Sequence, residues 1–170
     1  MKRALPSKAL VSGLLVAGAL ALSACGFTPL YGPQSVVKGL SGIEVVAADG
    51  RAGFLIREQL DDALAHDPNV LPTYKLVYTI TEHRYARGVR VDNVANRYEL
   101  ALTANWRLLD IKTGQQVRAG SAYATATYDS ADQPYAAVSA QQDGQERAAT
   151  EVARKIQLDL AAWFAGKAPA

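Results

Sequence analysis

The sequence is poor in the residues that carry most enzyme chemistry. It has one cysteine, so no disulfide can form within the chain. Its two histidines, His66 and His83, lie far apart, with no cysteine or clustered carboxylates to complete a metal site. It has no Gly-x-Ser-x-Gly motif for a nucleophilic serine and no glycine-rich phosphate loop. These absences argue against an enzyme and against a bound cofactor.

Basic residues are in surplus only because of the N-terminus. The net charge is +2, from 18 basic and 16 acidic residues. Lys2, Arg3 and Lys8 lie in the first eight residues, and without them the balance is 15 to 16, or −1. A nucleic-acid-binding domain normally keeps its basic surplus in the folded part. We therefore expect no nucleic-acid partner.

The N-terminus has the pattern of a secretory signal. The basic start is followed by residues 9–22, which carry no charge. A helix of this length reaches about 21 Å, short of the hydrocarbon core of about 30 Å. A buried helix of the domain is the alternative, but three cations at one end and many small residues in the rest do not fit it. We therefore predict a signal peptide over residues 1–24, removed on maturation.

The signal ends in Leu22-Ser23-Ala24-Cys25. These residues resemble the bacterial lipobox, in which a leucine and two small residues precede a cysteine. The resemblance implies that the Cys25 thiol receives diacylglycerol through a thioether and that its new amine receives an N-acyl chain. Position 26 is glycine rather than aspartate, which by the lipoprotein sorting rule implies the outer membrane. The alternative is a buried free cysteine.

The mature chain divides by composition into a tether and a domain. Residues 26–42 contain four glycines and two prolines without a long periodic pattern, so we predict a lipidated Cys25 and flexible tether over residues 25–42. Residues 43–166 alternate between strand-like and helix-like patterns, which predicts a single α+β domain. The expected fold is a two-layer sandwich of two helices on a four-stranded, mostly antiparallel sheet. Gly144 is a weak point near the start of the second helix.

Arginine is enriched in the middle strands. Residues 82–118 contain seven basic and four acidic residues, and six of the seven are arginine, which can bind phosphate through two parallel hydrogen bonds. The candidate anion-contacting residues are Arg84, Arg87, Arg90 and Arg97. We place the first three of them in the connection between two strands, at one end of the sheet. Such arginines contact a phosphorylated ligand, contact a protein partner, or serve only solubility.

The start of the mature chain and its C-terminal part resemble a known family. Residues 25–32 read Cys-Gly-Phe-Thr-Pro-Leu-Tyr-Gly, and residues 128–130 and 134–136 read Tyr-Asp-Ser and Pro-Tyr-Ala. This pattern is similar to that of the LptE lipopolysaccharide-assembly lipoproteins, particularly the alphaproteobacterial branch. The order of predicted strands and helices matches along the whole mature chain, whereas the middle strands match only in periodicity.

The resemblance implies a non-enzymatic subunit of the outer-membrane lipopolysaccharide translocon. Such a subunit sits as a plug in the lumen of the LptD β-barrel, helps the barrel to assemble and takes part in lipopolysaccharide transport to the cell surface. It is held at the periplasmic side of the outer membrane by its acyl chains, and the four arginines become candidates for lipopolysaccharide binding. The competing expectation is a free-standing lipoprotein that acts as a chaperone or envelope structural protein without a barrel.

Overall fold

The computed structural model describes residues 34–89, 95–130 and 133–167. The elements of this part, in chain order, are α1 (Gln34–Ser41), β1 (Ile43–Val46), α2 (Arg51–Ala63), β2 (Tyr74–Val89), β3 (Ala95–Asp110), β4 (Gln116–Asp129) and α3 (Pro134–Lys167). The four strands form one sheet in the order β1-β2-β3-β4. Strand β1 runs parallel to β2, and the other two neighbouring pairs are antiparallel.

The core lies between the helices and one face of the sheet. Strand β3 alternates, and its residues Leu100, Leu102, Ala104, Trp106 and Leu108 are buried on this face. They share one hydrophobic cluster with side chains from all three helices, among them Ile56, Leu60, Val152, Ile156 and Leu160. The alternation and the helical spacing seen in the sequence therefore identify the packed faces correctly. The fold is α+β, as predicted.

The predicted tether is wrong for residues 34–42, and the described part has three helices rather than two. Helix α1 buries Val36 and Leu40, which lie one helical turn apart. Gly39 packs under the ring of Phe164, where an added Cβ would lie 2.6 Å from the ring. The glycine that suggested a flexible linker is therefore a close-contact residue. The signal peptide, Cys25 and residues 26–33 lie outside the described residues.

Strand β2 is longer than its sequence pattern predicts. The alternation is clear only to Glu82, but the strand continues to Val89 and pairs with β3 over almost its whole length. The pairing is irregular only near the end, between Ala86 and Gly88 and again before Val89. Pairing with a strong neighbouring strand overrides the weak propensity of the arginine-rich run. Arg84 and Arg87 therefore lie in a strand and not, as predicted, in a connection.

Helix α3 passes through Gly144 without a break. It begins at Pro134, a residue suited to the first helical position because its missing N–H has no partner there. Gly144 is buried against Tyr128, where an added Cβ would lie 3.0 Å from the ring. The glycine allows the helix to approach β4 closely, which offsets its low helix propensity.

The Tyr78 side chain links β2 to the start of α2. Its buried hydroxyl donates a hydrogen bond to Gly53 O at 2.7 Å, and burial raises the pKa of Tyr78 to about 12. We expect Tyr78→Phe to lower the free energy of unfolding by about 0.5–1.5 kcal/mol. The contribution is fully present below pH 10 and is lost as the pH rises towards 12. Urea unfolding of the unmodified protein and of Tyr78→Phe, at pH 8 and at higher pH, measures this contribution. A difference in free energy of unfolding that stays the same at every pH would contradict it.

Candidate anion-contacting site

Three of the four candidate arginines lie at the far end of the β2–β3 pair. Arg84 pairs in register with Leu100, and Gly88 pairs with Arg97. The structure therefore brings Arg84, Arg87 and Arg97 to one end of the sheet. Arg90 lies outside the described residues. Strand alternation decides where the three described arginines point.

Arg87 points away from the helices. Its Nη2 donates a hydrogen bond to Glu99 Oε1 at 2.7 Å, and its guanidinium lies over the Tyr85 ring, 5.4 Å from the ring centroid. The hydrogen bond to Glu99 raises the pKa of Arg87. The pair is open to solvent, so the ion pair contributes little stability. An arginine held in this way is oriented but still accessible.

Arg97 lies on the same side of the sheet and pairs with Asp129 across the β3–β4 ladder. Its Nε and Nη2 donate to the two carboxylate oxygens at 2.7 and 3.4 Å. The hydrogen bond from Arg97 lowers the pKa of the Asp129 carboxyl, and Asp129 raises the pKa of Arg97. An anion that approaches Arg97 therefore has to compete with an existing two-point contact.

Arg84 points to the helix side of β2. Its Nη1 donates to Gln141 Oε1 of α3 at 3.1 Å, and its guanidinium lies 5.1 Å from the centroid of the Tyr98 ring. Tyr98 in turn stacks on Tyr128 with ring centroids 5.7 Å apart. Both described partners of Arg84 are uncharged, unlike those of Arg87 and Arg97. Among the three described arginines, Arg84 therefore has the charge that is least neutralised by its neighbours.

The site has two sides rather than one edge. Arg87 and Arg97 lie on the face of the sheet that points away from the helices, which we call the open face, and Arg84 lies on the helix face. One phosphorylated group cannot use all three without reaching around the strand.

Two exposed tyrosines on the open face were not identified from the sequence. Tyr85 is 45% exposed and lies beside Arg87, and Tyr123 of β4 is 53% exposed. Both rings present a flat surface to solvent next to polar side chains. Continuation of the β2 alternation past Glu82 would have placed Tyr85 and Arg87 on this face together.

The described residues show neither a metal-binding cluster nor a membrane-spanning helix. In residues 34–89, 95–130 and 133–167, no group of three or more histidine, cysteine or acidic residues could hold a metal ion. In the same residues, no helix is both long and apolar enough to cross a membrane. A surface depression of about 400 Å³ lies farther along the sheet and is lined by residues such as Val77, Asn105 and Arg107. It contains none of the candidate arginines.

Comparison with known proteins identifies a matching family and a similar solved structure. The family model described as LptE, lipopolysaccharide-assembly, matches residues 40–160. No curated protein matches the sequence significantly. A crystal structure of a Caulobacter crescentus CB15 protein, assigned as a lipoprotein, is 64% identical and has a TM-score of 0.70. The match covers 79% of this chain and 98% of that one.

Two more distant structures share the fold. Rare lipoprotein B from Shewanella oneidensis is 12% identical with a TM-score of 0.56, and the match covers 74% of this chain and 97% of that one. Lipoprotein B from Nitrosomonas europaea is 13% identical with a TM-score of 0.52, covering 72% and 83%. At these identities the likeness shows the α+β fold alone. Because the family model spans more than two thirds of the sequence, the chain belongs to the LptE family of non-enzymatic lipopolysaccharide-assembly lipoproteins.

Proposed function

We propose that this protein is the lipoprotein subunit that plugs the LptD β-barrel, helps it to assemble and takes part in lipopolysaccharide transport to the cell surface. The observation that carries the proposal is the match of the LptE family model to residues 40–160. Membership of this family implies a role in lipopolysaccharide transport. The barrel partner and the location in its lumen are our proposal.

The shape of the domain is compatible with a barrel lumen. A globule of about 146 residues has a radius of gyration of about 15 Å, so only a very large barrel could enclose it. Strands β2 and β3 have 16 residues each, or about 50 Å, and α3 has 34 residues, also about 50 Å. These long elements suit a plug that lies lengthwise in a barrel.

The open face of the sheet also suits a polar wall. Its exposed side chains include threonines on β2 and β4 and polar residues on β3, among them Thr79, Thr81, Asn105, Thr125 and Thr127. The interiors of outer-membrane barrels are polar. A threonine-rich face can exchange hydrogen bonds with such an interior without burying apolar surface. The competing function, a free-standing chaperone or structural lipoprotein, gives no reason for so many exposed threonines on one face.

The anchor in this proposal is Cys25. Three acyl chains on one residue would hold the protein in the outer membrane permanently, because stable anchoring needs more than one chain. The domain then faces the periplasm or enters the barrel from the periplasmic side. Apart from the diacylglycerol and N-acyl chain on Cys25, the proposed function requires no cofactor.

Co-purification tests the barrel partnership. A tagged, lipidated protein is extracted from outer membranes in mild detergent and captured through its tag. We expect LptD in about equal amount, because a plug stays with its barrel through extraction. Recovery of the protein without any large barrel, with lipidation intact, would favour the free-standing alternative.

The arginines are proposed to contact phosphates of lipopolysaccharide. A guanidinium has five N–H donors, and the described contact of Arg87 with Glu99 uses only one of them. Arg84 has no described acidic partner, so it can offer its full charge. Such charge-assisted contacts contribute about 1.5–3 kcal/mol each when desolvated and far less when exposed. The alternative role for the same residues is contact with the barrel wall.

A double charge reversal separates these two roles. We expect Arg87→Glu with Arg90→Glu to weaken lipopolysaccharide binding by the purified protein about tenfold or more, and to make the remaining binding less sensitive to salt. The measurement is a binding titration at low and high salt. Arg107→Glu with Lys112→Glu is the matched control, because it changes the net charge equally with exposed residues away from the site. Unchanged binding together with loss of LptD would assign the arginines to barrel contact.

A further inference from the structure

The two outer edges of the sheet differ in how well they are protected against pairing with another strand. On β4, two carbonyl oxygens are capped by cationic side chains of α3. Lys155 Nζ donates to Tyr123 O at 2.6 Å, and Arg147 Nη2 donates to Thr127 O at 3.0 Å. Charged side chains placed over an edge are a recognised way to prevent another strand from pairing there. The β4 edge is therefore protected around Tyr123 and Thr127.

The β2 edge is open beyond the end of β1. Strand β1 pairs only with Tyr74–Val77, whereas β2 continues to Val89. The Tyr74 N–H donates to Gly42 O on the β1 side. Because backbone groups alternate in direction along a strand, even-numbered residues of β2 direct their N–H and C=O groups to this edge. The backbone N–H and C=O groups of Ile80 and Glu82 therefore point away from β3.

No described segment pairs with the outward backbone groups of this stretch, although Gln141 and Gln145 of α3 contact the side chains of Arg84 and Glu82. No backbone hydrogen bond outside the regular ladders reaches residues 78–89 from another described segment. Glu82, Arg84 and Ala86 are exposed. Where β1 ends, the chain turns away and leaves a recess of about 320 Å³ between residues 47–49 and residues 78–80. A strand that continued the line of β1 would begin in this recess.

We propose that the β2 edge, from Ile80 to Ala86, pairs with an extended segment of the barrel partner outside its closed wall, because the wall strands are already hydrogen-bonded on both sides. The identity of that partner rests on the proposed function. The chemistry of the edge specifies the occupant, because backbone donors and acceptors in alternation are satisfied by another extended backbone. Ile80, Glu82, Arg84 and Ala86 each offer one N–H and one C=O. The protein thus joins its sheet to the barrel protein through main-chain hydrogen bonds, independently of the arginine side chains.

A proline substitution tests the edge with a matched control. Glu82→Pro removes the outward N–H at the centre of the edge, and proline is tolerated on an edge where the N–H has no partner within the sheet. Glu82→Ala keeps the N–H but loses the same carboxylate, which accepts a hydrogen bond from Gln145 Nε2. We expect Glu82→Ala to co-purify with LptD as the unmodified protein does. We expect Glu82→Pro to recover at least tenfold less barrel while its melting temperature stays near that of Glu82→Ala.

A second proline variant, and a measurement on the unmodified protein, keep the edge testable even if Glu82→Pro misfolds. Ala86→Pro removes another outward N–H. Because residue 86 is already alanine, the unmodified protein serves as the control for this variant. Hydrogen exchange on the unmodified protein, alone and in the complex, needs no variant. The amides of Ile80 and Glu82 are expected to slow at least tenfold in the complex. The Thr81 amide, which faces β3, is expected to be slow in both.

The outcomes separate this proposal from the proposed function. If the unmodified protein is recovered without a barrel, the proposed function fails first. The edge proposal is overturned if both proline variants recover as much LptD as the unmodified protein and the amide exchange of Ile80 and Glu82 does not slow in the complex. The plug function stands in that case. If the purified protein alone is a dimer that Glu82→Pro converts to a monomer, the edge pairs with a second copy and the proposal is also overturned.

Discussion

Replacement of Trp106 by alanine is expected to lower the free energy of unfolding by about 3–5 kcal/mol, the range for large aromatic residues in a packed core. Trp106 is 1% exposed and lies in the middle of β3, on the face covered by the helices. Gly120 is its partner on β4, and an added Cβ there would lie 2.6 Å from the indole ring. The ring therefore occupies space that no neighbouring side chain can fill. Denaturant unfolding followed by circular dichroism measures the loss.

A double-mutant cycle identifies the cause of this effect. Gly120→Ala alone is expected to destabilise the protein, because its methyl group would overlap the indole ring. In the Trp106→Ala background the clash with the ring is gone and only Asp159 Oδ2 remains near the added Cβ, at 3.0 Å, so the cost should fall by at least 1 kcal/mol. Arg107→Ala, the exposed neighbour on the other face, is the control and should change stability by less than about 0.5 kcal/mol. Additive effects of the two core changes would contradict the close packing of Trp106 against Gly120.

The sequence predicts the sheet well wherever a strand buries one face. The alternation of β3 predicts that its large apolar residues face the core, and the structure buries Leu100, Leu102, Trp106 and Leu108 and half-buries Tyr98. The helical stripe that includes Val152, Ile156 and Leu160 likewise lies in the core. Both patterns follow from the geometry of a single element. They need no knowledge of what the element packs against.

Elements that depend on tertiary contacts were missed. Helix α1 has only eight residues, so two buried side chains are its whole pattern, and nearby glycines suggested a linker. The far half of β2 has weak strand propensity and is held by β3. In each case the deciding interaction comes from a partner far along the sequence. A single sequence does not show that partner.

The candidate site shows the same limit. The sequence groups Arg84, Arg87 and Arg97 by composition, and the structure does bring them to one end of the sheet. Their division between two faces follows from strand alternation, which could be used only once β2 was known to continue. The acidic partners Glu99 and Asp129 come from the neighbouring strands. They could be identified only from the register.

Cys25→Ala is expected to abolish membrane anchoring. Without the thiol no diacylglycerol can be attached, and in the lipobox interpretation the signal peptidase does not cleave the unmodified chain. The precursor keeps its leader of 24 residues and is about 2.5 kDa heavier than the mature protein before lipid is counted. Metabolic labelling with palmitate should give no signal, and immunoblotting should show only the heavier band. Ser23→Ala is the control, because it keeps a small residue beside the cleavage site and should mature normally. Normal acylation and processing of Cys25→Ala would contradict the lipobox, and with it the anchor on which the outer-membrane location depends.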